Sequence, residues 1–153
     1  GEAVQPNDDL PVQAWRRLRG NGGTVAFGRL SGQRERRVLV ACCEGALSVD
    51  SFFDIVQDMA NDPEIGPETP ILWDLRAHDI GKLSADVVRQ FAYAVPRASR
   101  RRGARRGFLV DSDVAFGMMR MFEQTAVAHG FEDPGSFRVS RNARDLMAWL
   151  ESA

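Results

Sequence analysis

Two hydrophobic periods alternate along this chain, and each switch between them marks an element. Thr24 to Leu30 reads as a strand, and Arg37 to Glu44 holds the nearly unbroken apolar run Val38-Leu39-Val40-Ala41-Cys42-Cys43. The short polar link around Ser31-Gly32-Gln33 predicts a hairpin between them. The period then lengthens. Val49, Phe52, Phe53, Val56, Met59 and Ala60 recur at helical spacing, while Asp50, Asp54 and Asp58 share the opposite side. Ser48 is the expected N-cap, and Leu47 before it can meet Phe52 as a hydrophobic staple.

The same alternation repeats three times more. Ile71-Leu72-Trp73-Asp74-Leu75 predicts a strand, followed by a helix from Ser84 whose buried stripe is Val87, Val88, Phe91, Ala92 and Val95. Pro96 predicts a kink or an early end there. Gly107 to Val110 is the next strand, and Asp113 to His129 a helix that turns Val114, Met118, Phe122 and Ala126 inward until Gly130 stops it. Phe137-Arg138-Val139 is a short last strand, and Asn142 opens a helix burying Leu146, Met147, Trp149 and Leu150. This order predicts an α/β domain: a mostly parallel sheet of about five strands with helices packed on it, the first strand antiparallel because a hairpin joins it.

Residues 1–23 stand apart as an N-terminal extension to a domain over residues 24–153. Pro6, Asn7 and Pro11 break regular structure, and Gly20-Asn21-Gly22-Gly23 is a flexible or turning link. Val12, Trp15 and Leu18 repeat at three-residue intervals, which suggests an amphipathic turn docked on the main domain or a partner contact.

Composition narrows the function classes. A chain of 153 residues suffices for one core without staples. No apolar run approaches the roughly 18 residues of a membrane-spanning helix, so no membrane insertion is expected, and the polar, acidic start does not read as a secretion signal. The adjacent Cys42 and Cys43 read as two buried thiols on opposite faces of a strand, in keeping with a reducing, cytoplasmic setting. A net charge of −1 gives no global attraction to nucleic acid. His78 and His129 have no second ligand at metal spacing, and the common hydrolase and nucleotide-binding motifs are missing, so neither a metal, a cofactor nor catalysis is indicated.

Five segments in order carry a family resemblance: Glu44-Gly45-Ala46-Leu47-Ser48, Leu72-Trp73-Asp74-Leu75-Arg76, Leu83-Ser84-Ala85-Asp86, Arg100-Arg101-Arg102-Gly103-Ala104-Arg105-Arg106, and the run from Val114 to Glu123. Over about residues 24–151 the chain resembles the STAS domains, named for sulfate transporters and anti-sigma-factor antagonists, in their small bacterial stand-alone form. The resemblance implies a non-enzymatic regulatory module whose partner is a protein such as an anti-sigma factor or its kinase; a second copy of the chain, in a homodimer, is the other expected partner. It further implies a phosphoacceptor serine at the start of the helix after the third strand, and Ser84 is the position that comes nearest. The family motif Asp-Ser-Ser-Gly stands here as Lys82-Leu83-Ser84-Ala85.

Each candidate also has a structural reason to exist. Ser84 can act as an N-cap alone, although a phosphate there would meet the positive end of a helix and Lys82. Asp74, Asp79, Asp111 and Asp113 sit at or just beyond strand ends, where α/β sheets place ligands, but capping and turn formation account for the last two. Arg100, Arg101, Arg102, Arg105 and Arg106, with Arg97, form the one dense charge cluster, readable as a solvated helix end or as a contact for an acidic partner or anion. Few aromatic residues lie nearby for stacking on bases, which disfavours nucleic acid. Met118, Met119 and Phe122, together with Phe91, suit core packing or an apolar groove for a small molecule or lipid. The groove is the competing reading, and STAS domains are related at the level of fold to lipid-transfer domains of the CRAL-TRIO type.

Overall fold

The computed structural model describes residues 9–10, 12, 15–29, 38–99 and 103–152. The strands in chain order are β1 (Arg16–Gly20), β2 (Gly23–Arg29), β3 (Leu39–Gly45), β4 (Ile71–His78), β5 (Arg106–Leu109) and β6 (Phe137–Ser140). The helices are α1 (Val49–Ala60), α2 (Ala85–Ser99), α3 (Asp113–Ala128) and α4 (Ala143–Glu151), with short 3₁₀ turns at Ile80–Lys82 and Pro134–Ser136. The strands lie side by side in sequence order, β1-β2-β3-β4-β5-β6. β1/β2 and β2/β3 pair antiparallel, and the three pairings from β3 to β6 are parallel.

The expected antiparallel start and parallel remainder are both present, and β1 is an addition. Leu18 belongs to a strand, not to the helical turn that its spacing from Val12 and Trp15 suggested, because Asn21-Gly22 forms a tight turn that folds β1 back onto β2. The described residues of the N-terminal segment therefore share the sheet and core of the rest: Leu10 is fully buried, and Val12 and Trp15 pack beside it.

Side-chain alternation divides the interior into two layers. Leu39, Ala41 and Cys43 of β3, with Ile71, Trp73 and Leu75 of β4, face α1, α2 and α3. Their neighbours Val40, Cys42, Leu72 and Leu109 face the other way, onto Leu146 and Leu150 of α4 and onto Leu10. One face thus carries three helices, and the second is closed by one helix and the N-terminal segment. Cys42 and Cys43 are both buried and reduced, one in each layer. Burial pushes the Cys43 thiol well above its ordinary value, helped by the nearby Cys42 and Asp74.

Local signals set the helix ends. Ser48, Ser112 and Asn142 each accept a hydrogen bond from a backbone N–H of the first turn of α1, α3 and α4. Pro96 neither ends nor shortens α2, which continues to Ser99; the proline lies within the last turn, where few hydrogen bonds remain to be lost.

The tip of the β1–β2 hairpin lies against the end of β3. Ala46 N–H donates to Gly22 O at 2.9 Å, and Ser48 N–H to Asn21 O at 3.1 Å. Gly45 adopts φ 82°, and a Cβ on it would stand 2.4 Å from Gly22 O. Both the backbone conformation and the space demand glycine. Gly45→Ala is therefore expected to lower stability by more than about 1 kcal/mol, seen as an earlier urea midpoint with an unchanged slope.

Candidate functional site

The layer between the sheet and α1 to α3 is not completely filled. A cavity of about 80 Å³ lies there, bounded by Trp73, Leu75 and Phe108 of the sheet, Phe52, Val56 and Met59 of α1, Val88, Phe91 and Val95 of α2, and Met119 and Phe122 of α3. Aromatic rings form much of its wall: Phe52 meets Trp73 at 5.5 Å and Phe91 edge-on at 5.6 Å, and Phe108 stacks on Phe137 at 4.5 Å.

Polar groups reach this cavity at both ends of β4. At the start of the strand, Ile71 pairs with Arg106 of β5, and Arg106 forms an ion pair with Glu132; both side chains line the cavity. At the end of the strand stands His78, whose two ring nitrogens are buried and have no hydrogen-bond partner among the described residues. Desolvation holds its pKa below the usual 6.5, opposed by Asp79.

A one-residue irregularity in β4 brings His78 to this side. Cys42 pairs with Asp74, but Glu44 pairs with Ala77 and Gly45 with His78, so β4 spends three residues where β3 spends two. Strict alternation from Trp73 and Leu75 would send residue 78 to the α4 side; the extra residue reverses the parity after Arg76. Sequence reasoning set His78 aside as a lone histidine, and no residue type at 74–78 announces the irregularity.

On the opposite face, Asp74 is 1% exposed. Arg76 Nε donates to its Oδ1 at 2.9 Å and Nη2 to its Oδ2 at 2.8 Å, while the far side of the same guanidinium donates to both oxygens of Asp9 at 2.9 and 3.0 Å. Hydrogen bonding to Arg76 holds the Asp9 carboxyl below its usual range, and the two carboxylates together raise the Arg76 pKa. Cys42 Sγ lies 3.9 Å from Asp74 Oδ2. This arrangement ties the N-terminal segment to β4. Asp74 thus serves as an anchor beneath the sheet.

The remaining candidates fall as follows. Ser84 is exposed and caps α2: Val87 N–H donates to its Oγ at 3.2 Å, and Val88 N–H to its carbonyl at 3.0 Å. Lys82 is exposed in the 3₁₀ turn just before it, 3.9 Å from Asp79. Phe91, Met119 and Phe122 line the cavity together, whereas Met118 packs against the same core from outside it. The apolar space expected as a groove is therefore an interlayer cavity.

Arg105 and Arg106, at the end of the arginine cluster, are both engaged within the fold. Arg106 is only 7% exposed, because its position in β5 points it into the helical layer, where Glu132 neutralises it. Burial lowers its pKa, and Glu132 acts against that. Arg105 donates to Trp149 O at 2.6 Å and Ser152 Oγ at 2.8 Å, and its guanidinium lies over the Trp149 ring at 4.9 Å. It caps the C-terminal end of α4, a cationic partner for the negative end of that helix. Neither arginine is a free surface contact, and Arg100, Arg101 and Arg102 lie outside the described residues. Among the described residues no group of three His, Cys, Asp or Glu side chains is placed to hold a metal ion, and no helix is long and apolar enough to cross a membrane.

Among solved structures, this one is similar to an uncharacterised protein of the DUF3478 family with a SpoIIAA-like fold, from Shewanella loihica PV-4. The match covers 87% of this chain and 98% of that one, with a TM-score of 0.53 and 20% identity. The chain has the SpoIIAA-like fold. No protein-family model and no curated protein sequence matches it. The structural likeness agrees with the STAS resemblance read from the five segments, since both describe a parallel sheet with helices layered on it.

Two outcomes test the polar ends of the cavity. Arg106→Met leaves Glu132 buried without its cation and should cost about 3–5 kcal/mol in denaturant unfolding, most of it recovered when Glu132→Met is added. His78 is favoured as neutral imidazole in the folded chain, so its contribution to stability is whole above pH 6.5 and shrinks as the pH falls from there towards its lower folded value. Stability measured against pH should therefore slope downward below 6.5 in the parent chain, and His78→Phe should flatten that slope.

Proposed function

We propose that this protein is a non-enzymatic regulatory module that binds a protein partner through the surface at the start of α2 and is switched by phosphorylation of Ser84. The observation that carries the reading is the position of the Ser84 hydroxyl: exposed, at the N-terminal end of a 15-residue helix, on the edge where the parallel strands end. A phosphate there would lie at the first-turn N–H groups and the positive end of the helix dipole, with the 82%-exposed side chain of Lys82 close in sequence. Asp86, in the first turn, sets a limit on that attraction. The SpoIIAA-like fold supports a role of the anti-sigma-antagonist kind, in which a kinase and an anti-sigma factor are the partners and the setting is cytoplasmic.

The cavity favours a second reading, a domain that holds a small apolar molecule or lipid. It is bounded almost wholly by apolar side chains, and it includes three of the four residues that sequence reasoning assigned to such a ligand.

The switch is tested by incubating the purified chain with ATP and extract of its native cells, followed by peptide mass spectrometry. One added phosphate on the peptide holding Ser84, lost in Ser84→Ala, is the expected result; an unmodified Ser84 peptide beside phosphorylated control proteins of the same extract would sink the proposal. Ser84→Ala alone should cost about 1 kcal/mol through the lost cap, and Ser84→Asp should keep the cap and the stability.

A further inference from the structure

The size of the cavity and the placing of its polar groups say more about its occupant than apolar lining does. The wall includes Ile71, Trp73 and Leu75 of β4 and, at the strand's end, His78. Its volume of about 80 Å³ is smaller than the roughly 150 Å³ of an apolar cavity that admits benzene. Such a slot has room for a short aliphatic chain and not for a fused-ring body.

The two ends of the slot differ in what they can offer. At the Ile71 end the charges of Arg106 and Glu132 already meet each other in an ion pair. At the other end, the His78 nitrogens are buried in a cavity wall with no partner among the described residues, a state that costs folding free energy unless something supplies the hydrogen bonds. A neutral imidazole offers one donor and one acceptor, which a hydroxyl can satisfy. Ile80 and Leu83 flank this end and keep the environment apolar, which disfavours a charged head group. Asp79, the nearest charge, is exposed and lies beyond the wall.

We propose that this interlayer slot binds a short aliphatic amphiphile, its single uncharged hydrogen-bonding head against His78 and its chain among the apolar side chains of the wall. This rests on the second reading above and adds the class and orientation of the ligand. Strand ends of open parallel sheets are a common place for ligands, and the parity change in β4 puts the one imidazole there on the cavity side.

The experiment is a titration of the intact chain with 1-butanol, 1-hexanol and 1-octanol, read by calorimetry and by the imidazole NMR resonances of His78, with octanoate as the charged comparison. Affinity should rise by up to about fourfold per methylene until the slot is filled and then level off. The His78 resonances should shift with each alcohol while those of His129 stay in place, and octanoate should bind at least tenfold more weakly than 1-octanol. In His78→Phe the alcohols should lose about tenfold in affinity. Val88→Phe, which fills the middle of the slot, should abolish binding, with circular dichroism confirming that each variant is folded. Failure of every alcohol to bind the parent chain would overturn both this proposal and the second reading. Binding without a shift at His78, or with octanoate preferred, would overturn the ligand class and orientation while leaving the cavity as a binding site.

Discussion

Each crossover between the parallel strands must turn in the same sense, because a right-twisted strand feeding a right-handed helix packs back onto its sheet in only one way. When the strands also lie side by side in sequence order, as β3 to β6 do, the three intervening helices must all fall on one face. The asymmetry of the molecule follows. Ile55, Val56 and Met59 of α1, Val88 and Phe91 of α2, and Met119 and Phe122 of α3 converge on a single layer, leaving the other face of the sheet to α4 and whatever the N-terminus can bring.

Charge and geometry complete that second face. Leu146 and Leu150 of α4 cover Leu109 and Leu72, but a helix of nine residues cannot span six strands. Leu10 fills part of the rest, and the guanidinium of Arg76 holds its neighbour Asp9 by a bidentate pair. The same guanidinium compensates the buried Asp74, so one side chain both permits a carboxylate under the sheet and tethers the segment that roofs it. The helical face also carries a buried ion pair, Arg106 with Glu132. Each of these two buried carboxylates is thus met by an arginine, which suits buried pairing because of its planar, forked donor set.

Period and capping were legible without coordinates: the cap at Ser48, the strands at Ile71 and Gly107, and the stripe ending at Val95 all stand where their spacing put them. On α3 the buried stripe is Ala115, Met119, Phe122 and Ala126, so Val114, expected inward, lies exposed. The other misses share a cause. β1 was hidden because Arg16, Arg17 and Arg19 make an edge strand look like a charged link, and its partner is set by a turn, not by its own pattern. Arg106 was grouped with the run before it, since charge suggests solvent until a register assigns the residue to a face. The cavity was legible in part through Phe91, Met119 and Phe122; its polar end was not, because which way residue 78 points depends on how β4 pairs with β3, a non-local property.

That irregular pairing makes register itself a determinant of chemistry. If β4 ran opposite β3 residue for residue with the same amino acids, Ala77 would face Gly45, the imidazole would turn out beneath the sheet, and the interlayer space would lose its hydrogen-bonding group at that end. Excising one amino acid between Asp74 and Ala77 removes the irregularity and still leaves His78 opposite Gly45, so a shorter descendant of this scaffold would keep its polar-ended pocket.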